Sequence, residues 1–287
     1  MVQPGTLYVV ATPLGNLEDI TLRALRVLKE VSLIAAEDTR HSRKLLLHYG
    51  IGTPLTSYYD QIEREKAPAL IGHLKQGKSL ALISDAGTPG IADPGYHLVR
   101  AAIAAGVRVE AIPGPSAVAA ALSVAGLPTD RFAFDGFVPA KVGPRRKFFA
   151  ALAHETRTLV VYEAARRLEG CLHDLQEVLG DRQVVMVREI TKMFEEIMRG
   201  PVSDVAAQLR TRAAGRTLQG EITLVIAAGV VPAAPAVEDL STAIERLRGE
   251  GMSLKEVARV LARERGLPRR AVYQAGLALT SDRKTSD

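Results

Sequence analysis

The sequence predicts an α/β protein of two domains, residues 1–125 and 126–229, followed by a small helical unit over 237–287. Three observations carry this. Strand-like and helical apolar patterns alternate from the N-terminus to about residue 227, which implies a mainly parallel sheet with helices on both faces. The run Gly126-Leu-Pro-Thr-Asp130 interrupts the alternation and marks a boundary. The run Val230-Val-Pro-Ala-Ala-Pro-Ala236 reads as a linker, and the pattern beyond it is purely helical. A chain of 287 residues with 47% hydrophobic content can bury more than one core.

Taken in order, residues 6–11 read as the first strand and 21–30 as a helix with Leu22, Leu25 and Leu28 on its buried side. Residues 32–36 form the second strand, with a helix near 42–49. A helix over 61–76 leads to a strand at 79–83, a loop at 84–95 and a helix at 96–105. A strand at 107–112 and a small-residue helix at 116–124 complete the first domain. In the second, strands are expected at 132–137, 158–163, 184–189, 195–199 and 221–227, and helices at 145–154, 166–179 and 202–213. Thr191-Lys192 lies between two strand-like pieces, which suggests a hairpin and hence a mixed sheet. In the tail, Ser253 and Glu256 have capping-box spacing. Leu254, Val257, Ala258 and Leu261 repeat at helical intervals. Gly266-Leu-Pro268 stops that helix, and Pro268 suits the first position of the next. Two helices joined by a short turn resemble a helix-turn-helix hairpin with Arg269 and Arg270 opening its second helix. A packing cap or a homodimer interface fits the same pattern equally well.

Composition narrows the class. The single cysteine, Cys171, excludes an internal disulfide, fits a reducing cytoplasm and falls in a helical pattern as a small core residue. No apolar run approaches a membrane span, and residues 1–6 lack a targeting pattern, so a cytoplasmic location with no membrane partner is expected. The net charge of +5 alone says little about nucleic acid. Its distribution says more. Lys141, Arg145, Arg146 and Lys147 cluster with no acidic residue between Asp135 and Glu155. From residue 251 onward there are eight Lys or Arg against four Asp or Glu. Solvated surface accounts for either cluster, and a polyanionic partner is favoured if both face one cleft.

The most informative stretch is Ser84-Asp-Ala-Gly-Thr-Pro-Gly-Ile-Ala-Asp-Pro-Gly95, at a strand's exit. Glycine lets backbone approach a ligand, and proline holds a loop in shape with little entropy left to lose on binding. Asp85, just after the strand, suits a hydroxyl or a cationic ligand. The loop has no Gly-Lys-Ser/Thr ending and no Gly-x-Gly-x-x-Gly, so the usual phosphate and dinucleotide cradles do not apply. No clustered histidine pattern points to a metal, and no Gly-x-Ser-x-Gly element points to a serine hydrolase. Further loops at strand ends are 12–16, 37–40, 113–117, 162–163 and 188–192. Carboxyl ends of parallel strands share one rim, so the N-terminal loops gather there and the second domain closes over them. Simpler readings stand beside these: Ser116 as a helix N-cap, Asp38 with Arg40 as a surface pair, and Glu163 with Arg188 as a structural ion pair.

Together, Tyr8-Val-Val-Ala-Thr-Pro-Leu-Gly-Asn-Leu-Glu-Asp19, Ala36-Glu-Asp-Thr-Arg40, the 84–95 loop and Ile112-Pro-Gly-Pro-Ser-Ala117 resemble the bacterial 16S rRNA cytidine 2′-O-methyltransferase family. That family belongs to the tetrapyrrole-methylase-like, class III S-adenosylmethionine enzymes. Arg188-Glu-Ile-Thr-Lys192, Glu195-Glu-Ile-Met-Arg-Gly200, Gly220-Glu-Ile-Thr223, Ser253-Leu-Lys-Glu-Val-Ala258 and Leu267-Pro-Arg-Arg-Ala-Val-Tyr273 extend the match over nearly the whole chain. One departure stands out: relatives follow the Tyr-Glu pair with His-Arg after two residues, whereas this chain reads Tyr162-Glu-Ala-Ala-Arg-Arg167, with Arg166 in the histidine's place.

The resemblance implies an S-adenosylmethionine site in a cleft between the two domains. Asp85, Ala86, Gly87, Thr88, Ile91 and Ala92 of the glycine loop would cup the cofactor. Pro13, Leu14, Gly15, Ser116 and Ala117 would line the same pocket, and Tyr162, Ile190 and Ile222 would reach it from the second domain. The implied acceptor is a cytidine ribose in 16S rRNA, free or within the small ribosomal subunit or its precursor. Lys192 and Glu189 are the first candidates to orient or activate the hydroxyl, then Glu163 and Arg40. Lys141, Arg145, Arg146, Lys147, Arg269 and Arg270 would meet RNA phosphates. A tetrapyrrole methyltransferase and a non-catalytic ligand-binding module are the competing readings.

Overall fold

The computed structural model describes residues 1–213, 218–229 and 238–284. They form two units, Met1–Gly229 and Val230–Asp287. The linker expected at 230–236 lies outside the described residues. The first unit holds two five-stranded sheets. Its N-terminal lobe contains β1 (Thr6–Val10), β2 (Leu33–Ala36), β3 (Leu55–Ser57), β4 (Leu80–Ile83) and β5 (Arg108–Ile112), with α1 (Leu22–Glu30), α2 (Thr39–His48), α3 (Glu63–Lys75) and α4 (Tyr96–Ala104). The order is β3-β2-β4-β1-β5 and every pairing is parallel. Period-two alternation places Leu7, Ala35, Leu80 and Leu82 in one core with Leu70 and Leu74 of α3 and Leu98 of α4. Tyr8, Val10, Ile34, Ala81 and Ile83 face the other core with Val27 and Leu28 of α1 and Leu45 of α2.

One expectation changes here and one unexpected strand is added. Leu22 is 85% exposed, Leu25 is half-buried, and the buried stripe of α1 is Ala24, Val27 and Leu28. Thr21 fixes this phase: its hydroxyl accepts the Ala24 N–H at 3.1 Å, which starts the helix with Leu22 turned to solvent. β3, three residues long, has no sequence counterpart because so short a run shows no periodicity.

The second lobe contains β6 (Phe132–Phe137), β7 (Thr158–Ala164), β8 (Gln183–Arg188), β9 (Glu196–Pro201) and β10 (Glu221–Ile226). Its order is β6-β7-β10-β8-β9, parallel at β6–β7 and antiparallel elsewhere, a mixed sheet with the expected β8–β9 hairpin. α6 (Val142–Ala151), α7 (Leu168–Leu179) and α8 (Val202–Ala213) belong to this lobe, and buried residues of all three pack in one core against the sheet. Cys171 is part of that core. α5 (Ala117–Ala125) covers the opposite face, where Val118, Ala121, Leu122 and Ala125 meet Val160, Val185, Val187 and Val225. α5 therefore leaves the rim of the first sheet and seats on the second, which ties the lobes together.

Arg145 requires a correction. It is 6% exposed, and its guanidinium lies 2.6 Å from Asp174, itself 2% exposed. A guanidinium committed to a buried carboxylate is not available to a phosphate, and breaking such a pair costs about 3–5 kcal/mol. Arg146 shares Asp174 at 2.7 Å but keeps a half-exposed side chain. Lys141 and Lys147 are exposed.

The second unit comprises α9 (Leu240–Gly249), α10 (Leu254–Arg265) and α11 (Arg269–Lys284) around Ile244, Leu247, Val257, Leu261 and Val272. The Ser253–Glu256 capping box is formed. α11 begins at Arg269, so Pro268 sits just before its first turn, where its carbonyl accepts the N–H groups of Ala271 and Val272. Arg269 and Arg270 are exposed. No helix among the described residues is long and apolar enough to cross a membrane.

Candidate functional site

Because all five strands of the first sheet run in parallel, the loops after β1, β2, β4 and β5 meet at one rim. Hydrogen bonds stitch them together. Thr12 and Gly87 exchange backbone bonds of 2.8 and 3.0 Å, and the Thr12 hydroxyl donates to the Ser84 carbonyl at 3.0 Å. The Thr88 hydroxyl donates to the Pro115 carbonyl at 3.1 Å. The Asp38 N–H donates to the Asp85 carboxylate at 3.0 Å, and the Asp85 N–H to Glu37 at 3.3 Å. The far end of the 84–95 loop is anchored by the Gly95 N–H donating to the buried Glu63 carboxylate at 3.3 Å. The loop is thus held from both sides before any ligand arrives.

Between this rim and the second lobe lies a cleft with two adjoining chambers. The inner one, about 250 Å³, is walled on one side by Leu14, Asp85, Ala86, Gly87, Thr88, Ile91, Ser116 and Ala117. Tyr162, Glu163, Ile190, Lys192 and Ile222 face them from the second lobe. The second chamber, about 530 Å³, is bounded by Pro13, Leu14, Gly15, Leu17, residues of α2 including His41 and Lys44, and again Asp85, Lys192 and Glu221. Of the residues expected at the cofactor, Ala92 alone lines neither chamber; it holds a left-handed φ of +61° within the loop. Ser116 occupies the N-cap position of α5, yet its hydroxyl makes no capping bond.

Lys192 lines both chambers, as do Leu14, Asp85, Ala86 and Glu221. Its ammonium donates to Glu189 at 2.9 Å and to Glu221 at 3.0 Å. Glu189 also accepts the Glu221 N–H at 3.0 Å, so one carboxylate fixes both the lysine and the start of β10. The Lys192 stem passes over Gly15, where a Cβ would fall 2.7 Å from Cε and 2.8 Å from Cδ, and Gly15 has φ +153°. No side chain fits there without displacing the lysine. Glu189 (+50°) and Thr191 (+65°) hold left-handed φ values on either side of Ile190. Such conformations are costly for non-glycine residues and persist where surrounding structure enforces them, commonly at functional sites.

The electrostatics favour a cation. Glu37, Asp85, Asp93, Glu163 and Glu221 line the inner chamber against the single ammonium of Lys192. Burial and the neighbouring Glu37 push the Asp93 carboxyl up to about 7. Burial likewise raises Glu37. For Lys192, burial opposes the charge, but Glu189 and Glu221 outweigh it and hold the ammonium above its ordinary value. Burial also works against the Glu189 charge, and the Glu221 N–H and Lys192 overcome it, keeping Glu189 below the usual carboxylate range. Burial pushes the Tyr162 phenol up to about 12, so it remains neutral, with its ring edge-on to Phe134 and Phe137.

The remaining candidates divide. Glu163 is 1% exposed; one oxygen accepts from Arg167 and from the Ala164 N–H, and the other has no partner among the described residues. Arg188 pairs instead with Glu196 at 3.1 Å, so the Glu163–Arg188 pair does not form. Arg40 lines neither chamber: its side chain is 89% exposed and paired with Asp38 at 2.8 Å, the surface pair of the simpler reading. Glu189 acts on the site through Lys192 rather than by lining a chamber. Arg166 is exposed and lines neither chamber. Sequence reasoning missed Glu37, Asp93 and Glu221 as site residues, though each sits in a motif it singled out. A search for carboxylates at strand termini would have found Glu37 after β2 and Glu221 at the start of β10. Lys141, Arg146 and Lys147 line neither chamber, and Arg269 and Arg270 belong to the other unit.

The tetrapyrrole (corrin/porphyrin) methylase family matches residues 6–206, and the family described as the RsmI C-terminal HTH domain matches residues 234–280. The chain is 45% identical to the ribosomal RNA small subunit methyltransferase I of Xylella fastidiosa, over 95% of this chain and 99% of that protein. It is 46% identical to the protein of that name from Pseudomonas aeruginosa, over 95% and 97%. Among solved structures, uroporphyrin-III-C-methyltransferase from Thermus thermophilus aligns with a TM-score of 0.55 at 23% identity, covering 77% of this chain and 94% of that one. Diphthine synthase aligns with a TM-score of 0.56 at 14% identity, covering 77% and 90%. At those identities the likeness is one of fold.

Proposed function

Since the chain belongs to the ribosomal RNA small subunit methyltransferase I family, built on the tetrapyrrole methylase fold, we propose that it transfers a methyl group from S-adenosylmethionine to the ribose 2′-hydroxyl of a cytidine in 16S rRNA. The observation that carries this reading is an inner chamber rich in carboxylates whose one ammonium, that of Lys192, also lines the adjoining chamber. The cofactor carries a sulfonium, an ammonium and a carboxylate, one net positive charge, and the carboxylates of the inner chamber fit its two cationic groups. Asp85, Asp93 and Glu37 would meet the cationic groups, Gly87 and Ala86 would give backbone access, and Tyr162, Ile190 and Ile222 would pack against apolar parts. When bound, the cofactor supplies a methyl group already activated by positive sulfur.

The protein's work is then alignment, exclusion of water and management of charge at the acceptor. A rigid rim and a positioned acceptor convert an encounter into a near-unimolecular step. Lys192, protonated and held by two carboxylates, is placed to orient the acceptor hydroxyl and to stabilise negative charge on oxygen as its proton leaves. It is an electrostatic group and not a base. The larger chamber, with His41 and Lys44 on its wall, is the side from which the acceptor nucleotide enters. Lys141, Arg146, Lys147, Arg269 and Arg270 contribute phosphate contacts that position the RNA without reading its sequence.

The test supplies methyl-labelled cofactor to the enzyme with small-subunit particles lacking the modification. In parallel reactions the acceptor is an RNA deoxy at the mapped position, or a porphyrin precursor. Label is expected on a cytidine ribose, lost with the deoxy acceptor and absent from the porphyrin. Label on a nucleobase, or on the porphyrin alone, contradicts the proposal.

A further inference from the structure

The turn joining β8 to β9 carries Met193 and Phe194 at its tip, 91% and 71% exposed. Two adjacent large apolar side chains in water contribute nothing to the core, and the turn that presents them is firmly built. The Lys192 N–H donates to the Glu189 carbonyl at 2.9 Å and the Glu195 N–H to the Lys192 carbonyl at 3.0 Å. The Thr191 N–H donates to the Glu195 carboxylate at 2.6 Å. Phe194 is two residues from Lys192, so their Cα atoms lie within about 7 Å. Phe194 therefore stands on the same turn as Lys192, which lines both chambers, while Phe194 itself lines neither.

We propose that Phe194, flanked by Met193, is a stacking platform for an unpaired RNA base beside the methyl acceptor. This rests on the rRNA reading above. An enzyme that brings one nucleotide into a recessed site takes it out of its stack, which leaves the face of a neighbouring base uncovered. An aromatic side chain can cover that face whatever the base, because every base has a π-surface. Size favours RNA over a protein partner. A stable protein interface needs about 800 Å² from each side, whereas one phenylalanine offers only about 150–250 Å². That area matches a single base.

The chain contains no tryptophan, so Phe194→Trp would give a single indole at the tip of this turn. Its emission is expected to be quenched by a short unpaired RNA and unchanged by S-adenosylmethionine alone. Phe194→Ala is expected to fold and bind cofactor as wild type does, because the side chain is exposed. Its KM for unmodified small-subunit particles should rise about ten- to hundredfold. Phe194→Trp should keep a KM near wild type, and Phe194→Leu should not. A wild-type KM in Phe194→Ala, or unquenched indole emission with RNA bound, overturns the proposal. Quenching by particles but not by free RNA would assign the contact to a ribosomal protein, and a change with enzyme concentration alone would assign it to a second copy. Either result also overturns it. If the wild-type enzyme labels no RNA, the rRNA reading fails, and the quenching titration still reports separately on stacking.

Discussion

Replacing Lys192 with alanine is expected to lower kcat by about 10²–10³ while cofactor affinity stays the same or tightens. The asymmetry follows from charge. The lysine is the one cation among the inner chamber's carboxylates, so removing it leaves that chamber more attractive to a cationic donor. In the proposed reaction its ammonium is also the group that meets charge developing on the acceptor oxygen. Single-turnover rates read the first effect and calorimetry the second. Because Glu189 and Glu221 keep Lys192 protonated, titration of this residue should impose no limb on the rate near neutral pH. A variant with normal turnover would remove Lys192 from the mechanism. A variant that fails to bind cofactor would mean the lysine supports the rim, as its passage over Gly15 permits.

Cofactor affinity is expected to rise with pH through about 7, and Asp93→Asn should remove most of that rise. Burial and Glu37 lift the Asp93 carboxyl to about 7 in the free protein, so below that value it is largely neutral and attracts a cation weakly. Binding a cation favours the ionised form, so a proton is released on binding below neutrality. Above pH 8 the affinity should level off, and there Asp93→Asn should weaken binding about 10- to 100-fold, the value of a hydrogen bond to a charged group. Stability of the free protein moves the opposite way. Between about pH 4 and 7 the folded state holds a proton that the unfolded chain has released, so Asp93 costs stability as pH rises through this window. Asp93→Asn should therefore raise Tm at pH 8 without cofactor. Titration calorimetry in buffers of different ionisation enthalpy and thermal melts check both signs.

What the sequence made legible was local. The 84–95 loop stands out because three glycines and two prolines at a strand exit are poor packing material, and the structure puts most of that loop on the cleft wall. The β8–β9 hairpin and the Ser253 capping box depend on neighbours only a few residues apart, and both formed. Features set by distant partners were not legible. Arg145 looks like a surface cation until α7 brings Asp174 beneath it, 29 residues along the chain. Glu37, Asp93 and Glu221 converge only when β2, β4 and β10 are assembled, and their mutual repulsion is a property of that assembly. Leu22 shows a related limit. Apolar spacing gives the period of a helix but not which turn begins it, and Thr21 decides that. In the 37–40 loop, sequence reasoning selected the guanidinium of Arg40, whereas the carboxylate of Glu37 is the group that faces the cleft.

Every role proposed above requires that the cleft between the lobes hold the methyl donor. A crystal structure of the enzyme with S-adenosylhomocysteine would decide the matter. One molecule per chain is expected, between the 84–95 loop and Tyr162, Ile190 and Ile222. Density for the ligand elsewhere on the chain, or none in the cleft at saturating concentration, would contradict it.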